Sequence, residues 1–319
     1  MCKIMIINTG GTIAMSNDMT TGSVMPTSEN PLNVLPHQLD EFAELEIVDF
    51  DNIPSPHMTP AHMLELAQYI EKHHQEVDGI VVTHGTDTLE ETAYFCHLTL
   101  DISEPIVFTG AMRSSNEIGA DGLANLRSAI IVAASPESRN KGVTVVMNDE
   151  VHSAMYVTKT HTTNLATFQT PTFGPLGIIC KNEVFYFQKL IHQDYYPIEH
   201  VRADVPLIKL YAGMEGRLFE FLATQPISGL VIEGLGAGNV PPAILPGLHQ
   251  ILAQDIPVVM VSRSFNGIPA DVYDYEGGGK QLAEQGVIFA KGLSGIKARL
   301  KLQVILSSDT PYQIAQEFI

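Results

Sequence analysis

What most constrains the fold of this chain is a pairing repeated along its first half: a short run of branched aliphatic residues, then a longer amphipathic stretch. The runs are KIMIIN (3–8), LEIVDF (45–50), GIVVTH (79–84), PIVFTG (105–110) and GVTVVMN (142–148). They lack the polar alternation of a strand with one wet face, so they read as strands covered on both sides. Helical periodicity occupies 60–75, 89–100 and 120–134 between them. Pro60 suits a first helical position with Thr59 as its cap, and Thr88 with Glu91 has the spacing of a capping box. Strands and helices in alternation predict a parallel sheet with helices on both faces.

The second half repeats the style. Strands are expected at 206–212, 229–234 and 256–262, and helices at 215–224, 241–254 and 295–306. A chain of 319 residues suits two domains. The expected organisation is α/β: a larger N-terminal domain (1–189) with a doubly wound, mostly parallel sheet, a linker (190–206), and a smaller C-terminal parallel α/β domain (207–319).

Composition narrows the function classes. Eighteen Lys and Arg against 36 Asp and Glu leave a net charge of −18, which repels phosphate backbones and anionic membranes. Neither nucleic acid nor membrane is an expected partner. The three cysteines (Cys2, Cys96, Cys180) are widely spaced and form no zinc pattern, so no metal is expected. No stretch reaches the ~20 apolar residues of a membrane span. The amino terminus lacks a secretory pattern, because Gly10 and Gly11 interrupt its apolar run. The chain therefore reads as cytoplasmic, although a periplasmic protein without its leader would look the same.

In open parallel sheets ligands bind beyond the carboxyl ends of the strands. Those ends are rich in Thr and Gly here: TGGT (9–12), THGTDT (83–88) and TGAMR (109–113). Thr86 and Asp87 sit just before a helix start, where an anion is stabilised. Lys159 lies among hydroxyls in YVTKTHTTNLATF (156–168). Its plain reading is a surface lysine; its functional one is a group that holds a neighbouring hydroxyl ready for proton transfer. His84 reads equally as a structural or a catalytic imidazole. The phosphate-loop, dinucleotide, nucleophile-elbow and HExxH patterns are all missing, and no cofactor is expected.

TGGTIA near the amino terminus and THGTDTLEETAYF some seventy residues on resemble the two signatures of the bacterial-type L-asparaginase family. GAMRSSNEIGADGLANL (110–126), GVTVVMND (142–149) and VTKTHTTNLATF (157–168) are similar to that family too, and fit its secreted branch better than its cytoplasmic one. The likeness continues through GLGAGNVP (234–241) to KARLKL (297–302). It implies a hydrolase that converts L-asparagine to L-aspartate and ammonia, with L-glutamine as a second substrate to be weighed. Thr12 is the implied nucleophile, and Thr86, Asp87 and Lys159 form the second implied catalytic cluster. Gly10 and Gly11 would let the backbone approach substrate, with their N–H groups facing an oxyanion. The implied substrate-binding residues are Gly11, Ser55, Thr86, Asp87, Ala111, Asn239 and Glu276. Of these, Ser55 holds the α-carboxylate, Asp87 the α-ammonium, and Asn239 reaches in from a neighbouring subunit. The implied assembly is a homo-oligomer, a dimer of dimers.

The chain departs from the family pattern in three places. The loop after TGGT lacks the usual tyrosine, with Met19 near its position. Pro56 stands where the secreted branch has a glutamine, and Glu276 is the nearest match for an acidic contact to the α-ammonium. The missing tyrosine keeps a non-catalytic amino-acid sensor open as an alternative, beside a glutaminase-asparaginase of dual specificity. A tRNA amidotransferase subunit is disfavoured by the acidic charge and by a chain that begins at its first strand.

Overall fold

The structure, a computed structural model, describes residues 2–17, 24–26 and 39–318. It divides into two compact units, Met1–Tyr195 and Tyr196–Ile319.

The first unit opens with strand β1 (Lys3–Asn8), followed by a short pair, β2 (Met15–Asn17) and β3 (Val24–Pro26). Next come β4 (Glu44–Asp49), helix α1 (Pro60–His73), β5 (Gly79–Thr83), α2 (Leu89–Thr99), β6 (Ile106–Thr109) and α3 (Gly122–Ala134). The unit closes with β7 (Val143–Met147), β8 (Glu150–Ser153), the hairpin of β9 (Thr158–Lys159) and β10 (Phe168–Gln169), then β11 (Gly177–Cys180) and β12 (Glu183–Tyr186). Eight strands form one sheet in the order β12-β11-β8-β7-β6-β5-β1-β4. From β7 to β4 all pairings are parallel, whereas β8, β11 and β12 extend the other edge antiparallel.

The sheet is wound on both faces, and β1 shows why its sequence is apolar throughout. Ile4 and Ile6 pack with Leu126, Ala129 and Ile130 of α3. Met5 and Ile7 point the other way, with Leu66 and Ile70 of α1 and Ala93 and Cys96 of α2. Helix α1 starts as its sequence predicts: Pro60 is its first residue and the Thr59 hydroxyl accepts from the His62 N–H at 3.3 Å. The capping box expected at α2 does not form. The Thr88 hydroxyl donates to the Ser55 carbonyl at 2.8 Å, so it joins two loops and caps nothing.

The second unit holds a parallel sheet in the order β13 (Leu207–Lys209), β14 (Leu230–Gly234), β15 (Val258–Ser262) and β16 (Ile288–Phe289). Its helices are α4 (Arg217–Leu222), α5 (Leu245–Leu252), α6 (Gly279–Glu284), α7 (Gly295–Ser307) and α8 (Ile314–Glu317). Residues 196–206, within the stretch 190–206 that the sequence reads as a linker, are hydrogen-bonded to the second unit. The Tyr196 hydroxyl donates to Glu317 at 2.6 Å, the Arg202 N–H donates to Ser307, and Gln303 donates to the Ala203 carbonyl. These bonds make 196–206 part of the second unit.

Candidate active site

The polar strand ends converge where the chain crosses the sheet. Strand β1 is followed by β4 on one side and β5 on the other, so the order reverses at β1 and opens a crevice between β1 and β5. Most of the threonines there are structural. Thr9 donates to the Thr83 carbonyl at 2.9 Å, Thr83 to Asn8 Oδ1 at 2.9 Å, and Thr109 to the Val146 carbonyl at 2.8 Å. Asn8 in turn donates to Asp49 at 3.0 Å. These bonds satisfy hydroxyls that would otherwise be buried at a cost.

The glycines serve loop packing. Gly11 has φ +87°, and a Cβ there would lie 2.3 Å from both the Cα and N of Gly85. A Cβ on Gly85 would lie 2.6 Å from the Ser55 Cβ. The loops after β1 and β5 therefore touch backbone to backbone, closer than any side chain allows, and the Ser55 side chain of the loop after β4 packs onto Gly85. Thr12 and Thr86 each sit one residue beyond that contact. Thr12 is half-buried and opens a single 3-10 turn, Thr12–Ala14.

Around Thr86 the bonds are explicit. The Lys159 ammonium donates to the Thr86 hydroxyl at 2.9 Å and to Asp87 Oδ1 at 2.8 Å. Thr86 is buried, the Lys159 side chain is 17% exposed and the Asp87 side chain is 60% exposed. One carboxylate oxygen is thus tied inside while the group opens to solvent, able to meet a cation. Ser55, buried at the start of a 3-10 turn, accepts from the Asp87 N–H at 3.3 Å. Beyond β6, Asp121 accepts from the Met112 and Arg113 N–H groups, and Asn125 donates to the Gly110 carbonyl. Together they hold the loop that carries buried Ala111.

His84 belongs to the framework. It is buried, its Nδ1 contacts the Gly85 carbonyl at 2.8 Å, and burial pushes its pKa down to about 4. A neutral imidazole whose Nδ1 is held by its own loop is a structural group.

The structure brings Gly11, Thr12, Ser55, Thr86, Asp87, Ala111 and Lys159 to neighbouring loops of the first unit. Asn239 and Glu276 lie in the second unit. Asn239 accepts from the N–H of Gly279, the first residue of α6, at 3.1 Å, and Glu276 is exposed in a turn. Met19 lies outside the described residues. Sequence reasoning missed Glu90, whose buried carboxylate accepts from the Thr158 hydroxyl and the Lys159 N–H at 3.1 and 3.0 Å. In sequence it is indistinguishable from an ordinary first-turn acid. Among the described residues no group of three or more His, Cys, Asp or Glu is placed to hold a metal, and no helix is long and apolar enough to cross a membrane.

Comparison with known proteins adds a consistent result. Residues 3–192 match the family model "Asparaginase, N-terminal", and residues 204–318 match "Glutaminase/Asparaginase C-terminal domain". The chain is 37% identical over 312 residues to an L-asparaginase of Bacillus licheniformis, covering 96% of each. It is 34% identical to a probable periplasmic L-asparaginase of Haemophilus influenzae, covering 99% of this chain and 92% of the relative. The crystal structure of a probable cytoplasmic L-asparaginase from Campylobacter jejuni superposes with a TM-score of 0.87 at 33% identity, covering 100% of this chain and 99% of the other. Relatives named for both compartments are nearly equally similar, so the closer fit to the secreted branch expected from the motifs is not supported.

Proposed function

Because the chain belongs to the asparaginase family, we propose that the crevice between β1 and β5 hydrolyses the side-chain amide of L-asparagine, giving L-aspartate and ammonia. The observation that carries this reading is the Lys159 ammonium bound to the Thr86 hydroxyl and the Asp87 carboxylate at 2.9 and 2.8 Å. A lysine that donates to Thr86 leaves the hydroxyl proton directed elsewhere and stabilises negative charge on that oxygen.

The reaction runs in two steps. The Thr12 oxygen bonds to the amide carbon, and the carbonyl pair moves to an oxygen that faces the Gly11 N–H. When that oxyanion collapses the carbon–nitrogen bond breaks, and the nitrogen leaves as ammonia with the proton Thr12 has released. Water, oriented by Thr86 and Lys159, then adds to the Thr12 ester. The carbon–Oγ bond breaks, aspartate departs and a proton returns to Thr12. Ser55 donates to the substrate α-carboxylate, Asp87 pairs with its α-ammonium, and Ala111 lines the amide end. Asn239 and Glu276 complete the site from a neighbouring subunit of a dimer of dimers. Cytoplasm and periplasm both stay open as its compartment, since relatives named for each are about equally similar.

The family description of the C-terminal domain also names glutaminase. One methylene separates the two substrates, worth about 1–3 kcal/mol in a fitted pocket, so dual specificity is the second reading. The test is ammonia release from L-asparagine and L-glutamine across concentration, with mass spectrometry of the trapped ester. An aspartyl adduct on Thr12 and a higher kcat/KM for asparagine are expected. No ammonia from either amide would leave an amino-acid-binding protein without turnover.

A further inference from the structure

The Lys159 ammonium reaches Thr86 and Asp87, 73 and 72 residues away, from a strand only two residues long. Strand β9 pairs with β10 and is not part of the large sheet, so sheet register does not set its position. One side chain ties its main chain to the catalytic loop. Glu90, the second residue of α2, is 5% exposed, and its Oε1 accepts from both the Thr158 hydroxyl at 3.1 Å and the Lys159 N–H at 3.0 Å. Its Oε2 is buried and has no hydrogen-bond partner among the described residues. A carboxylate buried with one oxygen unmet is costly. A leucine there would pack beside the buried face of α2 without that cost, but it would leave two donors unpaired and β9 untethered.

We propose that Glu90 is a positioning residue for the reaction: Oε1 fixes the main chain at Thr158–Lys159, so that the ammonium meets Thr86 and Asp87 without searching. This rests on the hydrolase reading for its kinetic consequence. The acceptor atom carries the role. Two donors converge on one oxygen, and a glutamine offers the same oxygen in the same place without the charge. A misplacement of about 1 Å at a reacting group costs up to about 100-fold in rate, whereas substrate is held by other residues.

The test compares Glu90→Ala with Glu90→Gln by steady-state kinetics and by crystal structure. Glu90→Ala should lower kcat about 10- to 100-fold with KM within about twofold of wild type. Its crystal structure should place Lys159 Nζ out of hydrogen-bond reach of Thr86. Glu90→Gln should restore most of the lost kcat and the Nζ position. Wild-type kcat in Glu90→Ala, an unmoved Nζ, or a Gln variant as impaired as Ala would each overturn the proposal, the last because charge and not the acceptor would matter. Should Glu90→Ala fail to fold, Thr158→Val removes one of the two donors alone. It should lower kcat a few-fold at unchanged KM, and an unchanged kcat there overturns the proposal too. A wild-type protein that releases no ammonia would instead sink the hydrolase reading, with the crystallographic comparison still decisive for Glu90.

Discussion

The two units solve one folding problem and use their strand ends differently. Both wrap helices around parallel strands whose Val and Ile side chains are buried, and both place close-packed glycines after those strands. At the end of β14 the backbone contact is local: a Cβ on Gly234 would lie 3.1 Å from the Cα of Gly238, four residues on, inside the loop closed by the Leu235–Asn239 bridge, and its nearest neighbour, at 2.6 Å, would be the flexible Met260 side chain. In the first unit Gly11 meets Gly85, so the contact joins loops from two strands flanking the switch point. A local glycine contact shapes a turn, whereas a contact between strands builds a crevice that several segments can furnish with chemistry. Architecture is shared; function follows which loops are brought together.

The largest expected effects strike the furniture of that crevice. Thr12→Ala and Thr86→Val should each lower kcat by 10²-fold or more with the fold intact, and Lys159→Met should lower kcat with little change in KM. Circular dichroism beside ammonia assays checks this; more than about a tenth of wild-type kcat in both threonine variants would place the chemistry elsewhere.

The comparison sharpens with glycines. Gly11→Ala combines a positive φ with a clash against Gly85, and should abolish activity and lower stability by several kcal/mol, on the order expected for a strained, overpacked site. Gly213→Ala in the second unit, at φ +77° with open space around it, should cost only about 1–2 kcal/mol and leave kcat unchanged. Equal losses in denaturant midpoint from the two variants would remove the distinction drawn here.

Acid should find the first unit through His84. The unfolded chain takes up its proton near the ordinary value of 6.5, but the buried imidazole holds off until about 4. Unfolding therefore gains a proton as pH falls between those values. Stability should drop by about 3 kcal/mol across that window and level off below it. His84→Gln, followed by denaturant titration at pH 7 and pH 4.5, should show a shallower fall. A slope identical to wild type would mean that other groups set the acid limit.

The smallest effect expected is at Met19. A thioether excludes water but relays no proton, so Met19→Tyr should raise kcat on L-asparagine a few-fold above Met19→Ala. Identical kinetics in Ala, Tyr and wild type would place position 19 away from the chemistry.

The sequence was most legible where burial is two-sided. Strands β1, β5, β6 and β7 announce themselves because both faces need aliphatic cover, whereas β4, at the sheet edge, is only half-buried. β11 and β12 escaped notice because they are four residues long, alternate in burial and extend the sheet antiparallel. β9 is too short for any periodicity, so what holds Lys159 is visible only when α2 and β9 meet in space. The family motifs pointed to Thr12, Thr86, Asp87 and Lys159, and the glycines have a packing job besides. Their missing side chains make room for another backbone, which no local pattern reveals.

That backbone contact also restricts how this site can evolve. A Cβ on Gly11 would lie 2.3 Å from the Gly85 main chain, and one on Gly85 would lie 2.6 Å from the Ser55 Cβ and 3.2 Å from the Gly11 Cα, so a larger residue at either one clashes. A substitution at either glycine alone carries that clash, and a double change passes through one of the single ones. The floor of the crevice is therefore frozen, and drift in substrate preference has to enter through its walls. A mutational library aimed at new amides is better spent on positions such as Ala111 and Pro56 than on the glycines that look most flexible.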